Sequence, residues 1–233
     1  VYENEEIKKR CFYISDEQFF FPNSTPDDMK NYYKTFYPNF DEARYRMLMD
    51  GFGLDGNRKI RTFSKGMKKQ VSVILGICAN TDYIFCDETF DGLDPVMRQT
   101  VKSLFANDME ERNLTPIIAS HNLRELEDVC DRVGIIDRGK MLLERVLSDM
   151  QENMTKLQLV LPEGAVLPEE LDIIHSTGPG RLRTLIIRGR ASEVTARLEG
   201  LSPIFMEAVP LTLEEIFIYE LGGEGHEVRD IIL

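Results

Sequence analysis

The feature that most constrains the fold of this chain is an apolar run that ends in two acidic residues, TDYIFCDE at 81–88. An uninterrupted apolar run of this length is typical of a strand buried on both faces of a parallel sheet. TPIIAS at 115–120 and VGIID at 133–137 have the same character, and helical patterns lie between the three runs. This alternation predicts an α/β fold, in which an open and mostly parallel sheet carries helices on both faces.

The pattern of predicted elements changes near residue 152, where short strand-like runs begin to alternate with short helical patterns. We therefore predict a first domain over 1–151, with a helical subdomain at about 23–80, and a small C-terminal α+β domain over 152–233. Further strands are predicted in 11–15, 157–164, 183–190 and 203–210. Helices are predicted within 26–50 (interrupted at Pro38 and resumed after a capping Asp41), from Ser64 to 80, over 95–112 with Pro95 in the first turn, and over 122–131, 191–200 and 211–221.

Composition excludes several classes of protein. The formal net charge of −12 leaves no basic excess to neutralise phosphates, so we expect no nucleic-acid partner. No stretch approaches the ~20 apolar residues of a membrane-spanning helix, and the N-terminal VYENEEIKKR does not have the pattern of a secretory signal. We expect a cytoplasmic protein that reaches a membrane only through a partner. Four cysteines without C-x-x-C spacing are expected to be mostly buried thiols.

The strongest candidate site is the acidic end of the first apolar run. A strand that ends in Asp87 and Glu88 places two carboxylates in the crevice where open α/β sheets bind ligands. One carboxylate can hold Mg²⁺ while its neighbour orients or deprotonates an attacking water. The alternative is a solvated acidic turn. A third acid, Asp94, and Pro95 follow at once, which favours the functional interpretation.

Two other segments have both a functional and an ordinary interpretation. In FSKGMKKQ at 63–70, Ser64 and Gly66 stand at a predicted helix start, where free backbone N–H groups suit a phosphate. Ser64 could equally be a simple N-cap. His121 ends the 115–120 run and could contact a phosphate oxygen, or it could be an ordinary histidine. The GFGLDG run at 51–56 matches G-x-G-x-x-G but follows a helical pattern, so we reject a dinucleotide site.

In their order and spacing these segments resemble the ABC transporter ATPase family. FSKGM resembles its LSGGQ signature, YIFCDE its Walker B strand, and TFDGLDP the loop with the D-loop aspartate, here Asp94. CFYISDEQFFFPNST at 11–25 resembles the strand and Q-loop, and the segment that follows resembles the helical subdomain that contacts the membrane partner. The resemblance implies a P-loop NTPase-like fold and ATP hydrolysis with Mg²⁺. It also implies a transmembrane permease and a second ATPase subunit, as a homodimer or a heterodimer, with peripheral placement on the inner face of the membrane.

The same resemblance implies a role for each site residue. Asp87 serves Mg²⁺, Glu88 polarises the attacking water, and His121 steadies the γ-phosphate. The signature residues Ser64, Lys65 and Gly66 close on nucleotide held by the second subunit, Asp94 couples the two sites, and Asp16 occupies the Q-loop position.

Three departures from the family pattern qualify this resemblance. Lys65 replaces the first signature glycine, and Asp16, or Glu17 beside it, stands where the family has glutamine. The printed 233 residues contain no G-x-x-x-x-G-K-[ST] motif. In the family that motif precedes the Q-loop strand, and its own strand lies between the counterparts of 115–119 and 133–137. We therefore predict that these two runs do not pair directly and that the chain alone hydrolyses little ATP. The alternative function is a non-catalytic ABC-like interaction module, or a truncated fragment that cannot hydrolyse ATP alone. We expect truncation, with the first domain N-terminally incomplete, and not a genuine loss of the motif.

Overall fold

The computed structural model describes residues 3–178 and 181–222, which divide into two compact units. The first unit extends to Glu125 and the second begins at Leu126. The helices and strands of the first unit are α1 (Glu5–Lys8), β1 (Cys11–Ile14), α2 (Pro26–Lys34), α3 (Glu42–Gly51), a 3₁₀ turn (Ile60–Thr62), α4 (Lys65–Cys78), β2 (Tyr83–Asp87), α5 (Pro95–Arg112) and β3 (Thr115–Ala119); α6 (Leu123–Leu126) spans the division.

The first unit is built on a three-stranded parallel sheet in the order β1-β2-β3. Helix α4 lies against this sheet at Gly76, where a Cβ atom would come within 3.0–3.1 Å of the side chains of Ile84, Ile14 and Phe12. Because glycine lacks that atom, the helix approaches the strands closely and eight of its fourteen residues are buried. The predicted mixed α/β architecture with a parallel sheet is confirmed.

The helix starts expected from the sequence are confirmed. Asp41, Ser64 and Asp94 each occupy an N-cap, and their side-chain oxygens accept hydrogen bonds from backbone N–H groups in the first turn of α3, α4 and α5. Pro95 is in the first turn of α5, where its missing N–H costs no intrahelical hydrogen bond. These starts were predictable because capping depends on residues two or three positions apart.

The prediction that the strands are buried on both faces was wrong for the described residues. Along β2, Ile84 and Cys86 are buried whereas Tyr83 and Phe85 are each 37% exposed. Strand β3 is more exposed to solvent than β2, since none of its residues is buried and Ile117 is 45% exposed. The physical reason in β2 is one-sided packing, because Ile84 lies against Gly76 of α4 while Tyr83 and Phe85 alternate to the other face of the sheet.

Two of the four cysteines fit the expectation of buried thiols. Cys78 and Cys86 are buried, and this burial raises the pKa of each thiol to about 12. Cys11 and Cys130 are partly exposed.

The second unit holds two antiparallel sheets. Strands β4 (Arg132–Asp137) and β5 (Lys140–Val146) form a hairpin. The other sheet consists of β6 (Met154–Val160), β7 (Ile173–Thr177), β8 (Leu182–Arg188) and β9 (Phe205–Val209), in the order β7-β8-β6-β9. The helices of this unit are α7 (Leu147–Glu152), α8 (Ala191–Glu199) and α9 (Leu213–Gly222). Its core contains Leu157, Leu159, Leu185, Ile187 and Leu198.

Two predictions near the division were wrong in detail. The helix predicted over 122–131 is reduced to α6, a single turn of four residues. The run 133–137 is part of β4, which pairs with β5 in an antiparallel hairpin, and Ile136 is 69% exposed instead of buried. The turn at Arg138 and Gly139, both with positive φ, returns the chain at once, so the nearest partner for β4 is the next segment of sequence. Strands β5 and β7 were not predicted.

Direct pairing of 115–119 with 133–137 is not found in the described part of the chain, where β3 pairs with β2 and β4 with β5. The slot between these runs stays a prediction, as does the domain boundary at 151/152. The four-stranded sheet begins at Met154, just beyond that boundary. Among residues 3–178 and 181–222, no helix combines the length and the apolar character needed to cross a membrane.

Candidate functional site

Glu88 directly follows β2 and adopts a left-handed backbone conformation with φ of +45°. This conformation is uncommon for a residue other than glycine, and it persists only where the surroundings fix it. The backbone N–H of Glu88 donates to Ala119 O at 2.9 Å, at the end of the neighbouring strand β3. The backbone of Glu88 is therefore tied to both strands at the carboxyl edge of the sheet.

The carboxylate of Glu88 is held by the segment that follows β3. One oxygen lies 2.8 Å from His121 Nδ1 and accepts a hydrogen bond from the His121 backbone N–H at 3.0 Å. The hydroxyl of Ser120 donates to the other oxygen at 3.3 Å. The Glu88 side chain is 24% exposed and that of His121 is 82% exposed, so this pair faces solvent. The two predicted catalytic residues are therefore brought into contact.

Glu88 changes the protonation of its partner. The hydrogen bond and the negative charge of Glu88 raise the pKa of the His121 imidazole above its ordinary value. Because the raised pKa reflects a favoured imidazolium, the charge attraction of this pair is present below the folded-state pKa of His121. The attraction is lost as the pH rises through that value.

Glu88→Gln is expected to lower the pKa of His121 toward the ordinary value of ~6.5, because the glutamine amide carries no charge. An NMR pH titration of the imidazole signals of the 233-residue chain measures this change. Glu111→Gln is a matched control, since Glu111 is exposed on α5 and the substitution removes the same negative charge at a different place. A His121 pKa that is equal in wild type and E88Q would contradict the pairing.

Asp87 is the last residue of β2, and its Oδ2 accepts a hydrogen bond from the Tyr13 hydroxyl at 3.0 Å. This hydrogen bond raises the pKa of the Tyr13 phenol. No group of three or more His, Cys, Asp and Glu side chains with the arrangement of a metal site occurs in the described ranges. A single carboxylate such as that of Asp87 is a ligand that Mg²⁺ commonly takes together with phosphate oxygens and water. The role of Asp87 in holding Mg²⁺ stays a prediction.

The signature segment lies beside the loop that follows Glu88. The Lys65 ammonium is 3.0 Å from Asp91 Oδ2, and a Cβ on Gly66 would be 3.3 Å from Gly92 O. Gly92 has φ of +74°, a conformation that favours glycine and lets the loop turn toward α4. The Ser64 side chain accepts from Met67 N at 3.2 Å, so its capping role is confirmed. The phosphate-binding role stays a prediction.

Asp94 and Asp16 both have protein partners. Asp94 Oδ1 accepts from the backbone N–H groups of Val96 and Met97, each at 3.0 Å, so its carboxylate caps α5. Asp16 Oδ1 lies 3.2 Å from the Lys69 ammonium. Their proposed roles in coupling and in the Q-loop stay predictions, and both carboxylates are already engaged within the first unit.

Sequence reasoning missed Lys69 and Tyr13. The Lys69 side chain is fully buried, and its Nζ donates to Glu88 O at 2.7 Å. One signal could have revealed it: Lys69 is spaced four residues before the buried Val73, on the apolar stripe of α4. No local signal marks Tyr13, which lies 74 positions from its partner Asp87.

Comparison with known proteins identifies the relatives of this chain. No protein-family model matches it. It is 28% identical to the ABC transporter ATP-binding protein YtrB of Bacillus subtilis, over 96% of the chain and 77% of that protein. It is 26% identical to an uncharacterized ABC transporter ATP-binding protein of Synechocystis sp., over 95% of the chain. The homologues of this chain are ABC transporter ATP-binding proteins. The chain spans 65% of the length of the Synechocystis protein.

Solved structures of ABC ATP-binding subunits share the fold. A structure described as the ATP binding subunit of an ABC transporter superposes with a TM-score of 0.57 and 22% identity, over 63% of each chain. A putative cobalt transport ATP-binding protein gives a TM-score of 0.52 and 13% identity, over 81% of this chain and 72% of its own. The P-loop NTPase-like fold class predicted from the sequence is thereby confirmed.

Proposed function

We propose that this chain is part of an ATP-hydrolysing subunit that drives a membrane transporter of the ABC type. The observation that carries the proposal is the contact between Glu88 and His121 at the carboxyl edge of the parallel sheet. Its relatives, named as ABC transporter ATP-binding proteins, support ATP binding and a place in a transporter of this type. In the proposal the ATP is bound with Mg²⁺.

Each residue of the pair has a chemical role that fits its surroundings. The Glu88 carboxylate orients a water and accepts its proton as the oxygen attacks the γ-phosphate of ATP. His121, held by Glu88 and largely exposed, donates a hydrogen bond to a γ-phosphate oxygen. Asp87 would hold Mg²⁺, which neutralises charge on the β- and γ-phosphates. The products are ADP and inorganic phosphate.

A second ATPase subunit completes the proposed site. Ser64 and Gly66 stand at the N-terminus of α4, a helix of fourteen residues whose first N–H groups suit an anion. In the proposal they close on nucleotide bound to the other subunit, and the exposed Lys65 adds a positive charge beside them. Asp94, two residues after the Gly92 that approaches Gly66, couples the two sites in the proposal, and Asp16 links the Q-loop position to α4 through Lys69.

The membrane partner would dock on the helical subdomain. Four exposed aromatic rings contact one another edge to face at the start of this subdomain and just before it, and we call them the aromatic cluster: Phe19, Phe21, Tyr32 and Phe36. Their ring centroids are 4.8–5.5 Å apart, and Phe19 is 71% exposed. Exposed apolar patches of this kind mark interaction sites, and aromatic residues are enriched at protein interfaces. The cluster begins three residues after Asp16, so a partner seated on it would lie close in sequence to the Q-loop position.

The proposal is tested by isolating from membranes the protein as the cell makes it, called the full-length protein below whatever its length, and measuring both a copurifying membrane protein and phosphate release from ATP. We expect both, and we expect Phe19→Ser with Phe36→Ser to abolish copurification. The 233-residue chain alone should release almost no phosphate, because it contains no glycine loop and lysine for the β- and γ-phosphates. A full-length protein that binds its partner but never hydrolyses ATP would support the non-catalytic alternative.

A further inference from the structure

Lys69 connects three parts of the first unit that are distant in sequence. It is on α4, its side chain is fully buried, and its ammonium reaches Glu88 O at 2.7 Å and Asp16 Oδ1 at 3.2 Å. Asp16 follows β1 and Glu88 follows β2, so one side chain ties the two strand ends to the signature helix.

A buried ammonium is costly unless it is paired and hydrogen-bonded, and the contacts of Lys69 meet this requirement. Asp16 supplies the negative charge and is itself 45% exposed, so water also stabilises the carboxylate. The Glu88 carbonyl supplies the second acceptor, and it also accepts from Asp91 N at 3.2 Å. A hydrocarbon side chain at position 69 could fill the same space but could make none of these hydrogen bonds. Packing alone therefore does not explain a lysine at this position, whereas its hydrogen bonds and its ion pair do.

The contact with Glu88 falls on a strained residue. With this left-handed backbone, the Glu88 carbonyl accepts from Lys69 while the Glu88 carboxylate contacts His121. Such a conformation persists only where neighbouring groups over-determine it. Helix α4 constrains Glu88 through the hydrogen bond from Lys69. Strand β3 and the segment after it constrain Glu88 through Ala119, which accepts from the Glu88 backbone N–H, and His121, whose backbone N–H donates to the Glu88 carboxylate.

We propose that Lys69 is a positioning residue that fixes the backbone of Glu88, with Asp16 as its counter-ion. The inference rests on the proposed function, because it gives Lys69 its effect on ATP hydrolysis through the placement of the Glu88 carboxylate. It also gives Asp16 a specific task in this chain: Asp16 holds the ammonium in place, so movement of the loop after β1 would be transmitted to Glu88.

The test compares Lys69→Met with Lys68→Met. Methionine keeps an unbranched side chain of similar length and removes the charge and the donor. Lys68 is the matched control, since it is the neighbouring lysine on α4 and is partly exposed. In the full-length protein with its membrane partner, K69M should lower kcat for ATP hydrolysis ~100-fold, the typical cost of a small misplacement of a catalytic group. The KM for ATP should change less than ~3-fold, and K68M should match wild type.

Two further variants separate positioning from simple loss of packing. Lys69→Gln retains an N–H donor for Glu88 O, so its kcat should lie between those of K69M and wild type. In D16N the buried Lys69 ammonium loses its counter-ion, whereas the double variant D16N/K69Q has no charge at either position. The double variant should therefore be more active than D16N alone. If K69Q and K69M are equally impaired, or if K69M is as active as K68M, the proposal is wrong.

A second measurement does not depend on hydrolysis. Hydrogen–deuterium exchange of the 233-residue chain should be at least ~10-fold faster at 88–92 in K69M than in K68M, with α2 and α3 unchanged. If wild type hydrolyses no ATP, the proposed function fails, and the exchange still decides whether Lys69 holds Glu88. Equal exchange at 88–92 in both variants would overturn the positioning role.

Discussion

Glu88→Gln should lower the rate of ATP hydrolysis by the full-length protein ~10²–10⁴-fold, the usual contribution of a positioned acid–base group. Glutamine keeps the size and shape of the side chain, and its amide can still meet Ser120 and the His121 backbone. It cannot accept a proton from the attacking water. We therefore expect ATP binding to survive and a nucleotide-bound dimer to accumulate, because the chemical step fails after assembly.

Phosphate release and nucleotide-dependent dimerisation measure these two expectations. Glu111→Gln is the control for charge, since Glu111 is exposed on α5 and distant in sequence from the site. Turnover within a few-fold of wild type in E88Q would show that another group activates the water. Loss of ATP binding in E88Q would instead assign Glu88 to nucleotide binding and leave its catalytic role unsupported.

Asp108→Asn should lower the free energy of unfolding of the first unit by about 3–5 kcal/mol, the usual cost of removing one partner from a buried ion pair. The Asp108 carboxylate is 1% exposed and contacts two guanidinium groups, those of Arg44 and Arg112. Arg112 approaches it at 2.8 and 3.0 Å and also donates to the backbone carbonyl of Thr81. With asparagine, two arginines whose side chains are each 21% exposed lose the carboxylate that they share.

Hydrogen exchange of buried α4 amides, measured with increasing urea, reports the stability of the first unit without assuming that both units unfold together. Glu110→Gln removes a charge from an exposed position two residues along α5 and should change stability by less than ~0.5 kcal/mol. A D108N variant as stable as E110Q would mean that the two arginines are solvated and that the buried network contributes little.

Much of the local structure was predictable because it depends on near neighbours. The caps at Asp41, Ser64 and Asp94 and the proline start of α5 follow from residues within four positions of each other. The strands that carry Glu88 and His121 were recognised from short apolar runs. The contact between Glu88 and His121 was predictable because parallel strands place their carboxyl ends at one edge of the sheet. Two predictions were wrong in detail. The helix predicted over 122–131 is a single turn, and the buried strand predicted over 133–137 belongs to an antiparallel hairpin.

The sequence by itself determined the alternation of strands and helices in the first unit, the acidic strand end at Asp87 and Glu88, and the resemblance of its motifs to ABC transporter ATPases, because periodicity and motif spacing are local. Only the tertiary structure decided which faces of β2 and β3 are exposed, that Tyr13 meets Asp87, and that Lys69 is buried beside Glu88. These contacts join residues that are 74 positions apart for Tyr13 and Asp87, and 53 for Lys69 and Asp16. Packing brings such residues together, and no spacing along the chain encodes that approach.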